Sequence, residues 1–332
     1  MTFKFNNVYV DDTSTVAGPY EKKGPLEKYF DKTYDDLYFF EDSWELAEQK
    51  LVEDSLQILL RKTKNKKVSI DLVIGGDLSN QITATTFGTN KVGVGNAYFG
   101  LYNACATSIE EIIIASSLID SKKINNAICI TSSHNMTSEK QFRNPTEYGV
   151  PKPNGATFTA TGAAGILLSK DKSKIKVESA TIGKIIDYDQ NDPNNMGAVM
   201  SGAAAYTIAK HLEETKRKPE YYDLILTGDL GRYGKDILTE FLKEEYKIDI
   251  SKNYNDCGTM LYNLEEQEEV QAGGSGPVCS ALVNYGMIMD KLKKKEITKV
   301  LLVATGALFS PTTVFQGQNI LSIAHAISLE VV

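Results

Sequence analysis

A cysteine acts as a nucleophile when its thiol can ionise, and the start of a helix, where unpaired backbone N–H groups converge, favours that. Cys105 has this setting. Residues 103–108 read Asn-Ala-Cys-Ala-Thr-Ser, after a glycine-rich approach at residues 92–96 (Val-Gly-Val-Gly-Asn) and before an apolar-periodic run. The arrangement predicts an activated thiol whose helix start can also serve as an oxyanion hole. The competing expectation is a small buried cysteine, the usual fate of a free one. Cys129, Cys257 and Cys279 show no C-x-x-C pairing, and His134, His211 and His325 are scattered. No metal site is expected from them.

His134 closes an apolar strand in the loop Thr131-Ser-Ser-His-Asn-Met-Thr137, and strand C-termini are where α/β folds place ligands. The loop runs on through Phe142, Arg143 and Tyr148. Arg143 is a candidate carboxylate clamp, since its fork can hold an anion through two hydrogen bonds. A solvated loop charge is the alternative. Gly274, Ser275 and Gly276, in the run Ala272-Gly-Gly-Ser-Gly-Pro277, precede a helix and either cradle an anion or only permit close backbone packing. His325 lies inside the last apolar strand, where a satisfied core histidine is the plainer expectation; His211 sits on a charged helix face and is set aside. G-x-G-x-x-G, G-x-x-x-x-G-K-[ST] and G-x-S-x-G are all missing, so no nucleotide cofactor and no hydrolase elbow is expected.

These residues need elements to position them. Residues 1–42 are polar and aromatic, punctuated by Gly18-Pro19 and Gly24-Pro25, and read as an irregular N-terminal arm. From Ser43 the spacing of Trp44, Leu46, Leu51, Leu56 and Leu60 predicts a helix, closed by a basic tail at residues 61–67. A strand follows at residues 68–74, a long helix after Cys105, a buried strand at residues 126–131, and two further strands near residues 157–169 and 174–186. The order then recurs. A helix near residues 196–215 precedes Asp223-Leu-Ile-Leu-Thr-Gly-Asp-Leu230, which echoes Asp71-Leu-Val-Ile-Gly-Gly-Asp-Leu78. Helices near residues 235–245 and 279–292 and strands at residues 299–305 and 320–332 complete it. Strands alternating with helices predict an α/β protein with sheets covered on both faces, and the echo predicts a duplication, residues 43–186 and 187–332.

Composition sets the outer limits. The 332 residues are 42% hydrophobic and 24% charged, as in ordinary globular proteins. A net charge of −7 without a basic stripe argues against nucleic acid, whose affinity rests on neutralising phosphates. Apolar runs such as Ile112-Ile-Ile-Ala115 are far below the roughly 20 residues that span a bilayer. No signal peptide is visible at the N-terminus, so a soluble intracellular protein is expected, docked on a membrane only through a partner.

The duplicated halves, with Asn103-Ala-Cys105 at a helix start, resemble the thiolase and ketoacyl-synthase superfamily. Several segments resemble, more closely, the stage V sporulation protein AD family of spore-forming bacteria. They are residues 17–26 (Ala-Gly-Pro-Tyr-Glu-Lys-Lys-Gly-Pro-Leu), 30–35, 131–135, 141–149 (Gln-Phe-Arg-Asn-Pro-Thr-Glu-Tyr-Gly) and 272–276.

The superfamily resemblance implies a thiolase-like, five-layer αβαβα fold of two similar halves, a homodimer formed through the first half, and an acyl-accepting role for Cys105. It also implies second-half partners, commonly a histidine after the strand that here ends Gly228-Asp229 and a histidine or asparagine where this chain has Gly-Ser-Gly. The C-x-G-G-G strand of thiolases reads Leu321-Ser-Ile-Ala-His-Ala here, without a cysteine. Condensing enzymes use such groups to move protons and stabilise an enolate, so carbon–carbon bond formation is not expected. The sporulation family implies binding of dipicolinic acid, a pyridine dicarboxylic acid, beside the other stage V sporulation A proteins at the inner membrane of the forespore. Its two carboxylates and flat ring would need donors from Arg143, His134, Cys105, the Gly274–Gly276 turn and His325, and a wall from Phe142 or Tyr148. An acyltransferase acting through Cys105 is the rival expectation.

Overall fold

The computed structural model describes residues 1–63, 69–94, 97–142 and 152–332. Two sets of five strands carry the architecture. The first is β1 (Tyr9–Ala17), β2 (Leu72–Gly76), β3 (Ala97–Leu101), β4 (Asn126–Ser133) and β5 (Gly162–Ser169). The second is β6 (Ile175–Thr181), β7 (Leu224–Thr227), β8 (Tyr254–Asp256), β9 (Lys299–Leu308) and β10 (Leu321–Val331). Spatially the first set runs β3-β2-β4-β5-β1 and the second β8-β7-β9-β10-β6, the same order twice. β2 is parallel to β3 and β4, as β7 is to β8 and β9. The remaining pairs are antiparallel, and β1 meets β6 with Tyr9 beside Lys176.

The repeat extends to single hydrogen bonds. Asp71, just before β2, accepts the backbone N–H groups of Asn125 and Asn126 at 2.7 and 3.2 Å. Asp223, just before β7, does the same for Thr298 and Lys299 at 2.6 and 3.0 Å. In each half the aspartate ties the start of one parallel strand to the start of its neighbour.

Helices form three layers around the two sheets. On the outer face of the first sheet lie α1 (Trp44–Thr63) and α2 (Thr83–Val92); α1 buries Leu51, Val52, Leu56 and Leu59 against β1, β4 and β5. Between the sheets lie α3 (Thr107–Asp120) and, from the second half, α7 (Pro277–Val283), which a π-helical turn at Asn284–Ile288 joins to α8 (Met289–Lys293). Ile109, Ile112, Ile113 and Ile119 of α3 are all buried, and so are its Ser108, Glu111 and Ser116. A helix buried nearly all round belongs in the middle of a structure. Met196–Thr215 (α5) and Gly231–Phe241 (α6) cover the second sheet from outside. The last helix to name is the short α4 (Asn135–Phe142).

The N-terminal segment departs from the expectation of an irregular arm. Tyr9–Ala17 is a strand inside the sheet, paired along its length with β5. Its Asp11, Asp12 and run of Thr and Ser hide a strand whose last five residues are buried on both faces. The helix α2 was also unmarked, because Thr-Ala-Thr-Thr-Phe-Gly has no apolar period.

Candidate functional site

Cys105 sits on a tight turn between β3 and α3. The residue before it, Ala104, is in the left-handed region at φ 48°, a conformation that costs a non-glycine residue free energy. Thr107 staples this turn: its hydroxyl accepts the N–H of Asn103 at 2.9 Å and donates to the carbonyl of Ala104 at 2.7 Å. Gly306 of β9 packs against the same turn, where a Cβ would lie 2.9 Å from the Asn103 carbonyl oxygen. The strain thus holds Cys105 at the seam between the halves.

The second half supplies what faces the thiol. Asp229, at the end of β7, holds the same position in the repeat as Asp77 at the end of β2. Its Oδ1 accepts the Thr305 hydroxyl at 2.6 Å, and its Oδ2 accepts the Ser275 hydroxyl at 3.0 Å and the Gly276 N–H at 3.2 Å. The Ser275 oxygen is in turn 3.9 Å from Cys105 Sγ. Gly276, at φ 94°, leaves no room for a side chain, whose Cβ would come within 2.8 Å of Ser133 Oγ. Burial and then the neighbouring Asp229 carboxylate push the Cys105 thiol well above its ordinary range. Burial likewise raises Asp229. The helix start therefore fails to produce a thiolate: removal from water and a negative neighbour oppose it.

A pocket of about 570 Å³, counting its open mouth, rises from this floor. Tyr102, Phe142, Met196, Met200 and Phe309 make an apolar wall, and the Phe142 and Phe309 rings stand 6.0 Å apart. Ser138 and Glu139 of α4, with Thr159, give a polar side. The short strand Phe158–Thr159 pairs with Gly274–Ser275, so one two-stranded unit brings Thr159 and Ser275 to the pocket together.

Of the residues singled out in the sequence, Cys105, Phe142 and Ser275 line the pocket. Gly274 and Gly276 flank Ser275, but the anion their turn cradles is the chain's own Asp229. His325 lies behind Cys105, its Nε2 3.0 Å from the Asn103 side-chain nitrogen and its Nδ1 accepting the Gly183 N–H at 3.2 Å. Burial lowers it to about 4, so it is neutral near pH 7. His134 is a correction: it is fully buried and does not line the pocket. Its Nδ1 accepts the Met136 N–H at 3.1 Å, so its Nε2–H donates to the Leu37 carbonyl at 2.8 Å. It thereby fastens the start of α4 to the N-terminal segment. Arg143 and Tyr148 lie outside the described residues. Sequence reasoning missed Asp229 and Thr305 as parts of the site, though the final aspartate of the repeated strand motif was there to be read.

A sequence profile of the Stage V sporulation protein AD family matches residues 1–330. The chain belongs to that family. Among curated relatives, the Stage V sporulation protein AD of Bacillus subtilis (strain 168) is 42% identical over 323 residues, which cover 97% of this chain and 94% of that protein. Membership in the Stage V sporulation protein AD family gives the chain a role in the spore machinery. Solved structures share the fold at far lower identity. The 3-oxoacyl-[acyl-carrier-protein] synthase III of Aquifex aeolicus VF5 aligns at TM-score 0.57 and 14% identity, over 97% of this chain and 99% of its own. The peroxisomal 3-ketoacyl-CoA thiolase of Saccharomyces cerevisiae, described as a five-layered A-B-A-B-A structure of two core domains of identical topology, aligns at TM-score 0.57 and 13% identity over 98% of both chains. The fold is thiolase-like. Among the described residues of this family member, no helix is long and apolar enough to cross a membrane.

Proposed function

We propose that this chain is a ligand-binding member of the thiolase-like superfamily. It binds dipicolinic acid in the pocket above Cys105, and it works as a peripheral partner of the other stage V sporulation A proteins at the forespore inner membrane. The observation that carries the binding reading is the Asp229 carboxylate, hydrogen-bonded to Ser275 beside the thiol. A condensing enzyme needs a group there that accepts a proton from the thiol or donates to a developing oxyanion. A buried carboxylate that already accepts from Thr305, Ser275 and Gly276 has nothing to donate to an oxyanion, and its charge holds the proton on the thiol. The pocket's aromatic and methionine wall suits a flat ring.

A homodimer through the first half is part of the proposal. β3 ends the sheet with its outer edge unpaired among the described residues, and Phe99 and Tyr102 beside that edge are each half exposed. Tyr102 also lines the pocket, so a second copy on this edge would border the site.

The strained Ala104 favours the rival acyltransferase reading, since a fixed turn presents Cys105 to the pocket. Intact-mass spectrometry after incubation with acyl-thioesters decides between them. Unmodified protein supports binding, and an adduct on Cys105 sinks it.

A further inference from the structure

A carboxylate entering the pocket needs donors, and those on the floor are spent. The Ser275 hydroxyl, the Gly276 N–H and the Thr305 hydroxyl all point to Asp229. The negative floor would also repel an anion. The α4 side differs. Ser138 lines the pocket and is 4% exposed, and its Oγ is buried without a hydrogen-bond partner among the described residues. A buried hydroxyl left unpaired is costly and marks a place where a ligand or water belongs. Its neighbour Glu139, 3% exposed, also lines the pocket and holds Lys152 Nζ at 2.7 Å. An ammonium is therefore held by a carboxylate that lines the pocket, one residue along α4 from that hydroxyl.

We propose that Ser138 and Lys152 form the carboxylate-binding subsite of the pocket, and that Glu139 occupies Lys152 until a ligand carboxylate competes for it. The proposal rests on the binding reading above and adds a direction to it. The acid group of the ligand lies toward α4, and its ring lies toward Met196, Met200 and Phe309. Glu139 is then a built-in competitor. It compensates the lysine in the empty pocket and sets a threshold on ligand charge, because a neutral ring cannot displace it. A lysine suits this use, since its single-point charge changes partners without the geometric demands of a guanidinium fork.

The test is calorimetric titration of the full-length chain with dipicolinate at constant ionic strength, in the wild type, K152M, S138A and E139Q. K152M keeps the aliphatic stem and removes the charge, and circular dichroism confirms folding of each variant. The expected result is an affinity about tenfold or more weaker in K152M, severalfold weaker in S138A and several times tighter in E139Q. If K152M is misfolded, the opposite signs of S138A and E139Q carry the test. Wild-type binding with K152M and E139Q unchanged overturns the subsite and leaves the binding reading standing. Absence of wild-type binding overturns both.

Discussion

Asp229 accepts the hydroxyl of Ser275 at 3.0 Å, and that hydroxyl lies 3.9 Å from the sulfur of Cys105. A carboxylate thus stands beside the thiol and holds the hydroxyl that faces the sulfur. Cys105 keeps a helix start and a strained turn, but its electrostatics are reversed.

The first prediction follows from that reversal. D229N removes the negative charge and keeps one acceptor oxygen, for Thr305 or for Ser275 and Gly276. Cys105 should then ionise more readily, and its alkylation by iodoacetamide at pH 8 should speed up by about tenfold. An unchanged labelling rate would show that burial alone silences the thiol.

Stability should depend on pH with a definite sign. Glu21 is fully buried; its Oε1 accepts the Thr161 N–H at 3.0 Å and the Tyr262 hydroxyl, while its Oε2 has no partner among the described residues. Burial pushes Glu21 up to about 7, Glu48 up to about 8 and Asp256 up to about 6. An acid raised in the folded state adds stability at low pH and loses it as pH climbs through the folded value. Burial lowers His134, His211 and His325 to about 4, which has the opposite effect: they stabilise above their ordinary 6.5 and lose that as pH falls toward 4. The two sets oppose each other below about pH 6.5, and above it the raised acids, Glu21 and Glu48 among them, dominate, so melting temperature should decline from pH 6.5 to 8. E21Q should flatten that decline, and an equal slope in wild type and E21Q would contradict the assignment.

The paired strand-start aspartates offer a test of the duplication. Asp71 and Asp223 each hold two backbone N–H groups. D71A and D223A should each lose about 1–2 kcal/mol in urea denaturation, by amounts similar to each other. A large cost at one and none at the other would mean that the repeat is geometric but not energetic.

His134 is predicted to act on the pocket only through α4. H134A removes the acceptor for Met136 and the donor to Leu37, leaving both half-buried backbone groups without that partner. Hydrogen exchange should rise in residues 135–142, by about tenfold or more, with little change in α5. H134N, which can keep one of the two bonds, should give an intermediate result.

Much of this was legible in the residues, for identifiable reasons. The helix at Met196–Thr215 and the strand at Asn126–Ser133 follow their apolar patterns closely, because each lies against a continuous core. Cys105 at a helix start was legible because its glycine approach and apolar follow-on are local. The strand Tyr9–Ala17 was not, since its polar residues are buried by pairing with segments about 150 residues away. His134 was misassigned because a strand end marks a neighbourhood, whereas its ring direction is set by Leu37 and Met136. Asp229 escaped notice for a related reason. Its role comes from Ser275, Gly276 and Thr305 converging on it from elsewhere in the second half, and no local spacing records that.

The central claim is that this pocket binds a small aromatic dicarboxylate and does not turn over an acyl group. Calorimetric titration of the wild-type chain with dipicolinate tests it most directly. The account predicts a saturable isotherm with one site per chain, the same at each of two protein concentrations. Heats no larger than dilution, at ligand concentrations reaching the millimolar range that marks weak binding, would contradict it.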